Sequence, residues 1–339
     1  MNKALEISKL EIGYPQRKGK PVMVAGPIDI SIDHGELICL LGPNGVGKTT
    51  LLRTIAGIQN SLNGTISILQ QKLSTVDKKK LAKLLSVVLT EQIGYGNLTS
   101  YELISLGRIP YTGWFGNLDQ DDKEKISWAI ESTNIQHLAN KSIHELSDGE
   151  RQKVMIARAL AQDTPVILLD EPTAHLDLPN RIDIVRLLRK LARETGKAII
   201  MSTHELDLAL QAADKIWLMT MENITYSGTP EDLVLNDVFG KVFTKEGIEY
   251  DKSHGVFKVV EPHCAEIGIA GNEVGVFWTK RALERLGYTV INGEGNHDFI
   301  EINHKNSTWY WNYSTQDENH IWFSIAELTE FLKPKEGHL

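Results

Sequence analysis

The chain has 339 residues, which suggests about two domains and allows a large core. Its formal net charge of −8 argues against a general nucleic-acid binder, and we expect no nucleic-acid partner, because such proteins carry a basic excess. Its two cysteines exclude a disulfide framework, and the absence of a signal-peptide block or a long apolar run predicts at most a peripheral membrane role.

The first predicted elements are two strands and a glycine-rich loop. Apolar and polar positions alternate over residues 5–12 and 26–32, as in half-buried antiparallel strands. The apolar run 36–41 is typical of a buried strand, and helical spacing begins after residue 49. Between that strand and helix lies the sequence Gly42-Pro43-Asn44-Gly45-Val46-Gly47-Lys48-Thr49-Thr50.

This loop predicts the binding of a nucleoside triphosphate. Its glycines allow backbone N–H groups to turn toward phosphate oxygens, and the following helix adds its N-terminal partial positive charge. Lys48 would reach the β and γ phosphates, and the Thr49 hydroxyl would ligate Mg²⁺. A glycine-rich turn with a chance Lys-Thr is the alternative, but the flanking strand and helix argue against it.

Strands and helices continue to alternate along the chain. We predict strands at 63–69, 84–89, 165–169 and 197–202, a helical subdomain at about 94–150 with helices at 100–107 and 121–134, and helices at 151–160 and 181–193. This alternation implies a largely parallel sheet that is covered on both faces.

Two carboxylates, Asp170 and Glu171, follow the apolar strand that ends at residue 169. Asp170 would hold Mg²⁺ directly or through water, and Glu171 would polarise the attacking water. Taken alone, the pair would more often be a solvated acidic turn. The phosphate-binding loop earlier in the chain favours the catalytic interpretation.

The sequence Leu146-Ser147-Asp148-Gly149-Glu150, followed by Arg151-Gln152, resembles the signature of ATP-binding cassette (ABC) ATPases. In that family the signature follows a helical subdomain and precedes the Asp-Glu strand, as it does here. The resemblance implies an α/β fold, namely a P-loop NTPase core with an antiparallel β subdomain and a helical subdomain. It also implies ATP and Mg²⁺ as cofactors.

Further site residues follow from the same resemblance. Gln92 resembles the glutamine-loop residue, which would serve in catalysis and near the metal. His204 resembles the switch histidine, which would contact the γ phosphate and orient water near Glu171. Leu176-Asp177 resembles the D-loop, which would lie at the nucleotide. Tyr14 resembles the aromatic residue that stacks on adenine, although an exposed tyrosine in a strand-turn is common.

The signature also implies a dimer. Ser147 and Gly149 would contact the γ phosphate held by the phosphate-binding loop of the opposite subunit. Since the chain has one set of motifs, a second copy of itself or a partner cassette must complete the sites. Asp148 stands where glycine is usual, and Glu150 where glutamine is common. The Asp148 carboxylate would repel phosphate unless it points away or pairs with a cation such as Arg151.

Residues 97–103 and 106–111 are similar to the region after the glutamine loop in importers of iron-siderophores, haem and cobalamin. The resemblance predicts a transport ATPase that acts with separate integral membrane permease subunits on the cytoplasmic face of the inner membrane. The alternatives are an ATPase of another ABC transporter, such as a metal importer or an exporter, and a non-transport regulatory ATPase. The transported molecule is not predicted, because the permease and the external binding protein select it.

The resemblance ends near residue 250, and a second domain is predicted after it. We expect an ABC ATPase domain at 1–250 and a small C-terminal α/β domain of unknown role at 255–339. Its predicted elements are strands at 259–260, 266–270, 288–291, 299–302 and 308–313, a strand or helix at 274–286 and a helix at 324–332. Trp309, Trp311 and Tyr313 are predicted to form one hairpin face packed on the last helix, rather than a ligand cage.

Overall fold

The structure is a computed structural model that describes residues 3–16, 19–89, 96–113, 116–244, 247–259, 265–293, 298–315 and 318–333. The chain divides into two compact units, residues 1–242 and residues 243–339. The functional domain limits at residues 250 and 255 stay predictions.

Two sheets form the first unit. Its strands are β1 (Lys3–Tyr14), β2 (Val22–Asp33), β3 (Leu37–Leu41), β4 (Asn63–Ile68), β5 (Gln71–Lys72), β6 (Leu85–Val88), β7 (Val166–Leu169), β8 (Ala198–Ser202), β9 (Lys215–Met219) and β10 (Thr225–Gly228). One sheet is antiparallel, with the order β2-β1-β4-β5. The other has the order β10-β9-β3-β8-β7-β6 and is parallel except at β10.

Helices cover these sheets. They are α1 (Lys48–Ile55), α2 (Lys78–Leu84), α3 (Ser100–Ser105), α4 (Gln120–Ser132), α5 (Asp148–Ala161), α6 (Leu178–Thr195), α7 (Leu206–Ala212), α8 (Pro230–Leu235) and α9 (Val238–Phe243). Every residue of β3, β7 and β8 is buried, which explains why these strands are continuous apolar runs. The two sheets share one core, in which Ile7 and Ile30 belong to the same cluster as Leu40, Leu168 and Trp217.

Strand register determines where the functional groups emerge. In the parallel sheet, Leu169 of β7 pairs with Met201 of β8, and Leu40 of β3 pairs with Ser202 of β8. The carboxyl ends of the three strands therefore lie at one edge of the sheet, where ligands bind in open α/β sheets. The chain segments after residues 41, 169 and 202 all leave from this edge.

Helices α3, α4 and α5 form the helical subdomain. Capping boxes begin α3 at Thr99 and α4 at Asp119. The buried Arg108 side chain joins the helices, because it donates to Asp122 Oδ1 at 2.7 Å and to the Ala161 carbonyl at 2.9 Å. The predicted helix at 100–107 ends at Ser105 and continues as a 3₁₀ turn.

The second unit is a small α/β structure. Its elements are β11 (Ile248–Asp251), β12 (Val256–Val259), β13 (Ala265–Gly271), α10 (Glu273–Glu284), β14 (Tyr288–Asn292), β15 (Asp298–Lys305), β16 (Thr308–Ser314), β17 (Asn319–Trp322) and α11 (Ile325–Leu332). A five-stranded sheet has the order β14-β13-β15-β16-β17, and β11 pairs separately with β12. The segment predicted as a strand or helix is the helix α10, which Asn272 caps.

The aromatic stripe of β16 packs as predicted. Trp311 and Tyr313 are buried in one cluster with Leu328 and Leu332 of α11. Trp311 Nε1 also donates to Thr279 Oγ1 of α10 at 2.7 Å, so the indole N–H is satisfied inside the core. These contacts, with the two sheets and the helical subdomain of the first unit, confirm the predicted fold class.

Candidate nucleotide site

The glycine-rich loop makes a tight turn between β3 and α1. Gly42, Gly45 and Gly47 have φ angles of 149°, 79° and 109°, in the region that favours glycine. A Cβ on Gly42 would lie 2.6 Å from the Met219 carbonyl oxygen, so the close approach of β9 also requires glycine there. The loop then enters α1 at Lys48, where free helix N–H groups and the helix dipole favour an anion.

Lys48 is the buried cation of this loop. Its Nζ donates to the Gly42 carbonyl at 2.8 Å and to the Pro43 carbonyl at 3.1 Å, and only 6% of the residue is exposed. Burial lowers the Lys48 pKa, while the charges of Glu171 and Asp170 act in the opposite direction. The ammonium group is therefore held inside the loop and faces two carboxylates.

Thr49 and Asp170 meet at the edge of the sheet. Thr49 Oγ1 lies 3.4 Å from Asp170 Oδ1. Two adjacent ligands of an octahedral Mg²⁺ lie about 3 Å apart, and the cation prefers such oxygen ligands. The pair therefore fits the predicted metal site in chemistry and in spacing.

Ser202 touches both acidic residues, and sequence reasoning did not find it. Its Oγ donates to Asp170 Oδ1 at 2.7 Å and accepts from the Glu171 N–H at 2.8 Å. Ser202 is fully buried at the end of β8. The available signal was a polar residue that ends an otherwise apolar strand two positions before His204.

Glu171 and His204 form a close pair. His204 Nε2 lies 2.6 Å from Glu171 Oε1, and both side chains are partly exposed. Glu171 has a φ of 49°, which is unusual for a residue other than glycine. A carboxylate beside an imidazole, at the mouth of a phosphate-binding loop, can accept a proton from water and orient that water.

A cavity of about 300 Å³ collects the predicted groups. Its lining residues are Tyr14, Val24, Asn44, Gly45, Gly47, Lys48, Thr49, Thr50, Glu171 and His204. The Tyr14 hydroxyl lies 3.2 Å from Thr50 Oγ1, which restrains the ring while about half of the residue stays exposed. A restrained, exposed ring at the cavity wall is suited to stacking on a base. Gln92 lies outside the described residues.

The signature residues form a second cluster, and none of them lines this cavity. Ser147 caps α5, and Asp177 caps α6 by accepting from the Asn180 N–H at 3.1 Å. A Cβ on Gly149 would lie 3.0 Å from Asn180 side-chain atoms, so the two helix starts pack closely. The predicted D-loop residue therefore lies with the signature rather than with the phosphate-binding loop.

A capping box engages the signature serine. The Ser147 N–H and hydroxyl both donate to Glu150 Oε2 at 2.9 Å. These hydrogen bonds lower the pKa of the Glu150 carboxyl. Asp148 pairs with Arg151 at 3.1 Å, which is the cation that the sequence suggested for it.

Comparisons with known proteins agree with this architecture. Residues 25–174 match the ABC transporter family model, and residues 264–333 match the model of the iron ABC transporter C-terminal domain. An uncharacterized ABC transporter ATP-binding protein of Methanocaldococcus jannaschii, MJ0873, is 40% identical over 255 residues, covering 75% of this chain and 86% of the relative. The iron(3+)-hydroxamate import ATP-binding protein FhuC of Bacillus subtilis is 35% identical over 240 residues, covering 71% and 87%.

The chain is also similar to a solved cassette structure that contains bound nucleotide. The dimeric, post-hydrolysis structure of the ATP-binding cassette MJ0796, bound to ADP and Pi, matches with a TM-score of 0.57 and 25% identity. The match covers 67% of this chain and 98% of that cassette. Each of these matches covers most of the relative's own length. The chain therefore belongs to the ABC transporter ATP-binding proteins and is an ATPase of that family.

Proposed function

We propose that this chain is the ATP-hydrolysing subunit of a bacterial importer of iron-siderophore complexes. The main support for this substrate class is a family match. Residues 264–333 match the iron ABC transporter C-terminal domain, and they belong to the same chain as the ATPase cassette. The relative FhuC, which is named as an iron(3+)-hydroxamate import protein, supports the same class.

The phosphate-binding loop would hold the triphosphate. The Lys48 ammonium group would exchange its contacts with the loop carbonyls for the β and γ phosphates, and backbone N–H groups of the loop would donate to the other oxygens. Thr49 and Asp170 would hold Mg²⁺, with Gln92 contributing from the glutamine loop. Bound Mg²⁺ would neutralise charge on the phosphates.

Glu171 and His204 would prepare the attacking water. Glu171 lines the same cavity as Lys48 and would accept a hydrogen bond from that water. His204, at 2.6 Å from Glu171, would orient the carboxylate and donate to the γ phosphate. Tyr14 would stack on the adenine ring.

A second copy of the chain would complete each site. The start of α5 offers N–H groups and the Ser147 hydroxyl to an anion, but these groups do not line the cavity of their own chain. Ser147, Gly149 and Asp177 would instead meet the nucleotide held by the opposite subunit. The dimeric form of the similar cassette supports this arrangement.

Integral membrane permease subunits would be the other partners. None of the described helices is long and apolar enough to cross a membrane. The subunit would bind its permease peripherally, at the cytoplasmic face of the inner membrane. Closure of the dimer around ATP and its release after hydrolysis would drive the conformational change of the permease.

Iron uptake in the source organism tests this proposal. Cells that lack the gene should fail to take up a radiolabelled ferric hydroxamate, and the native gene should restore uptake while Glu171→Gln should not. Uptake of haem and of cobalamin in the same cells is the matched control. Loss of haem or cobalamin uptake, with the uptake of ferric hydroxamate unchanged, would contradict the proposed substrate class.

A further inference from the structure

We propose that Ser202 is a positioning residue of the ATPase site, which fixes Asp170 and Glu171 for metal binding and water activation. The inference rests on the proposed roles of these two acidic residues. Ser202 belongs to none of the motifs that predicted the site, and it does not line the cavity.

The Ser202 hydroxyl serves both residues at once. It donates its proton to Asp170 Oδ1 at 2.7 Å and offers a lone pair to the Glu171 N–H at 2.8 Å. A hydroxyl has a single proton, so these two bonds fix its orientation. The bond to the carboxylate is charge-assisted and is formed at a fully buried site.

The first bond restrains the Asp170 carboxylate. Rotation about the terminal torsion of an aspartate has only broad preferences, so an unsupported carboxylate samples several orientations. Ser202 binds the same oxygen, Oδ1, that faces Thr49 Oγ1 at 3.4 Å. Loss of the serine bond would therefore loosen the pair of oxygens that fits Mg²⁺.

The second bond supports the backbone at Glu171. Its φ of 49° is costly for a residue with a Cβ, and surrounding contacts must maintain such a conformation. The serine hydroxyl accepts the N–H of this same residue. The backbone conformation directs the side chain toward the cavity, where its carboxylate meets His204 at 2.6 Å.

Strand register explains why this position can act on both residues. Because Leu169 pairs with Met201, Ser202 lies beside Asp170 just beyond the paired part of β7 and β8. The other residues of β8 are all apolar. An apolar residue at 202 would remove the acceptor of the Glu171 N–H and the buried hydroxyl that donates to Asp170 Oδ1.

Variants of the full-length chain separate this role from simple packing. Ser202→Ala removes the hydroxyl, whereas Ser202→Thr keeps it. Ser86→Ala is the matched control, because Ser86 is also buried in this sheet and its hydroxyl accepts from Thr164 at 3.1 Å. Ser86 pairs with Ile167, which lies three residues before Asp170 along the chain, so Ser86 is not at the end of the strands where the acidic residues lie.

Three quantities are measured for each variant. They are kcat at saturating ATP and Mg²⁺, the affinity for Mn²⁺ in the presence of ADP from the spin resonance of free Mn²⁺, and ATP affinity without divalent cations. We expect Ser202→Ala to lower kcat and Mn²⁺ affinity by about 10- to 100-fold, as for other residues that orient metal ligands. ATP affinity without metal should stay within about twofold, because the phosphate contacts of Lys48 are intact.

The control variants show whether the effect of Ser202→Ala comes from the lost hydroxyl or from altered packing. Ser202→Thr should restore most of kcat and Mn²⁺ affinity, and Ser86→Ala should change neither. Native kcat and Mn²⁺ affinity in Ser202→Ala would overturn the inference, as would equal losses in Ser86→Ala or in Ser202→Thr. If Ser202→Ala does not fold, Ser202→Cys replaces it, because a thiol keeps the packing but donates weakly and should show the same losses.

One further variant separates this inference from the proposed function. Glu171→Gln with full ATP turnover would contradict the assigned catalytic site as a whole. An inactive Glu171→Gln together with a native-like Ser202→Ala would contradict the role of Ser202 alone.

Discussion

Two clusters of the candidate site differ in how their polar groups are satisfied. We call Lys48, Thr49, Asp170, Glu171 and His204 the cavity cluster, and Ser147, Gly149, Glu150 and Asp177 the signature cluster. In the cavity cluster, Lys48 comes from one segment and Asp170 and Glu171 from another, and long-range contacts to Thr49 and Ser202 hold the two acidic residues. In the signature cluster, the side chain of Ser147 is bound to Glu150, three residues along the same helix. Long-range contacts therefore hold the acidic residues of the first cluster, whereas the signature serine of the second is held by a contact within one helix turn.

This difference has a functional meaning. A site held by long-range contacts is preorganised in the single chain, so it can bind nucleotide alone. The Ser147 hydroxyl already donates to Glu150 in the absence of a ligand. To donate to a phosphate instead, it would have to break this hydrogen bond. We therefore infer that nucleotide binding depends on the cavity cluster, and that turnover also depends on the signature cluster of a second copy.

The largest expected effect is the loss of turnover in Glu171→Gln. The amide cannot accept a proton from water, so kcat should fall by about 10²- to 10⁴-fold while ATP binding is retained. Steady-state hydrolysis and equilibrium binding of a fluorescent ATP analogue measure the two quantities. Glu194→Gln, a carboxylate on the exposed face of α6, is the control and should behave as the native protein. Rapid ATP hydrolysis by Glu171→Gln would contradict a catalytic role of the cavity cluster.

The next effect distinguishes the two clusters by nucleotide affinity. Lys48→Ala removes a charged donor and should weaken ATP binding to the single chain by about 10- to 100-fold. Ser147→Ala should leave this affinity unchanged, since Ser147 does not line the cavity of its own chain. Titration of fluorescent ATP at protein concentrations too low for dimerisation tests both variants. Equal losses of affinity would mean that both clusters bind the same nucleotide within one chain.

Ser147→Ala should act on turnover and on stability. We expect kcat to fall by roughly tenfold through a lost phosphate contact, and the free energy of unfolding to fall by about 1 kcal/mol through the lost helix cap. Urea unfolding and ATP hydrolysis measure the two effects. Thr229→Ala, which removes the cap of α8, is a control that should lower stability without lowering kcat. A similar kcat loss in Thr229→Ala would assign the Ser147 effect to stability alone.

The smallest effect concerns Glu150, which we expect to compete with phosphate for the Ser147 hydroxyl. Glu150→Gln removes the charge, so the hydroxyl should exchange to phosphate more readily and the KM for ATP should fall by about threefold. The kcat should change little, because no catalytic group is altered. Initial rates across a range of ATP concentrations test this expectation. A higher KM would show that the carboxylate assists nucleotide binding, which would contradict the proposed competition.

The sequence predicted the parts of the site that are local in the chain. Gly42 to Thr50 form a contiguous loop with a recognisable order, and Asp170-Glu171 end an apolar run, so both were visible as patterns. The role of Ser202 could not be predicted, because it follows from the register between β7 and β8. The same limit applies to β9, whose carbonyl at Met219 packs against Gly42 and restricts that position to glycine.

The second unit shows another limit of sequence reasoning. Alternation predicted most of its strands, but it predicted only a strand at 259–260 where β12 ends, and it predicted neither β11 nor β17. It also could not decide between strand and helix for α10, which became clear only with its cap at Asn272 and its packing on the sheet. The match of residues 264–333 to the iron ABC transporter C-terminal domain came from comparison, because sequence patterns alone indicated no chemistry for this unit.

Mixing two inactive variants tests the completion of sites across subunits most directly. Lys48→Ala disables the cavity cluster and Ser147→Arg disables the signature cluster, so each homodimer should be inactive. In a mixed dimer, one site combines an intact cavity cluster with an intact signature cluster from the other copy. A one-to-one mixture should therefore regain up to about a quarter of native ATP turnover if the sites act independently. A mixture no more active than the separate variants would contradict the sharing of sites between two copies.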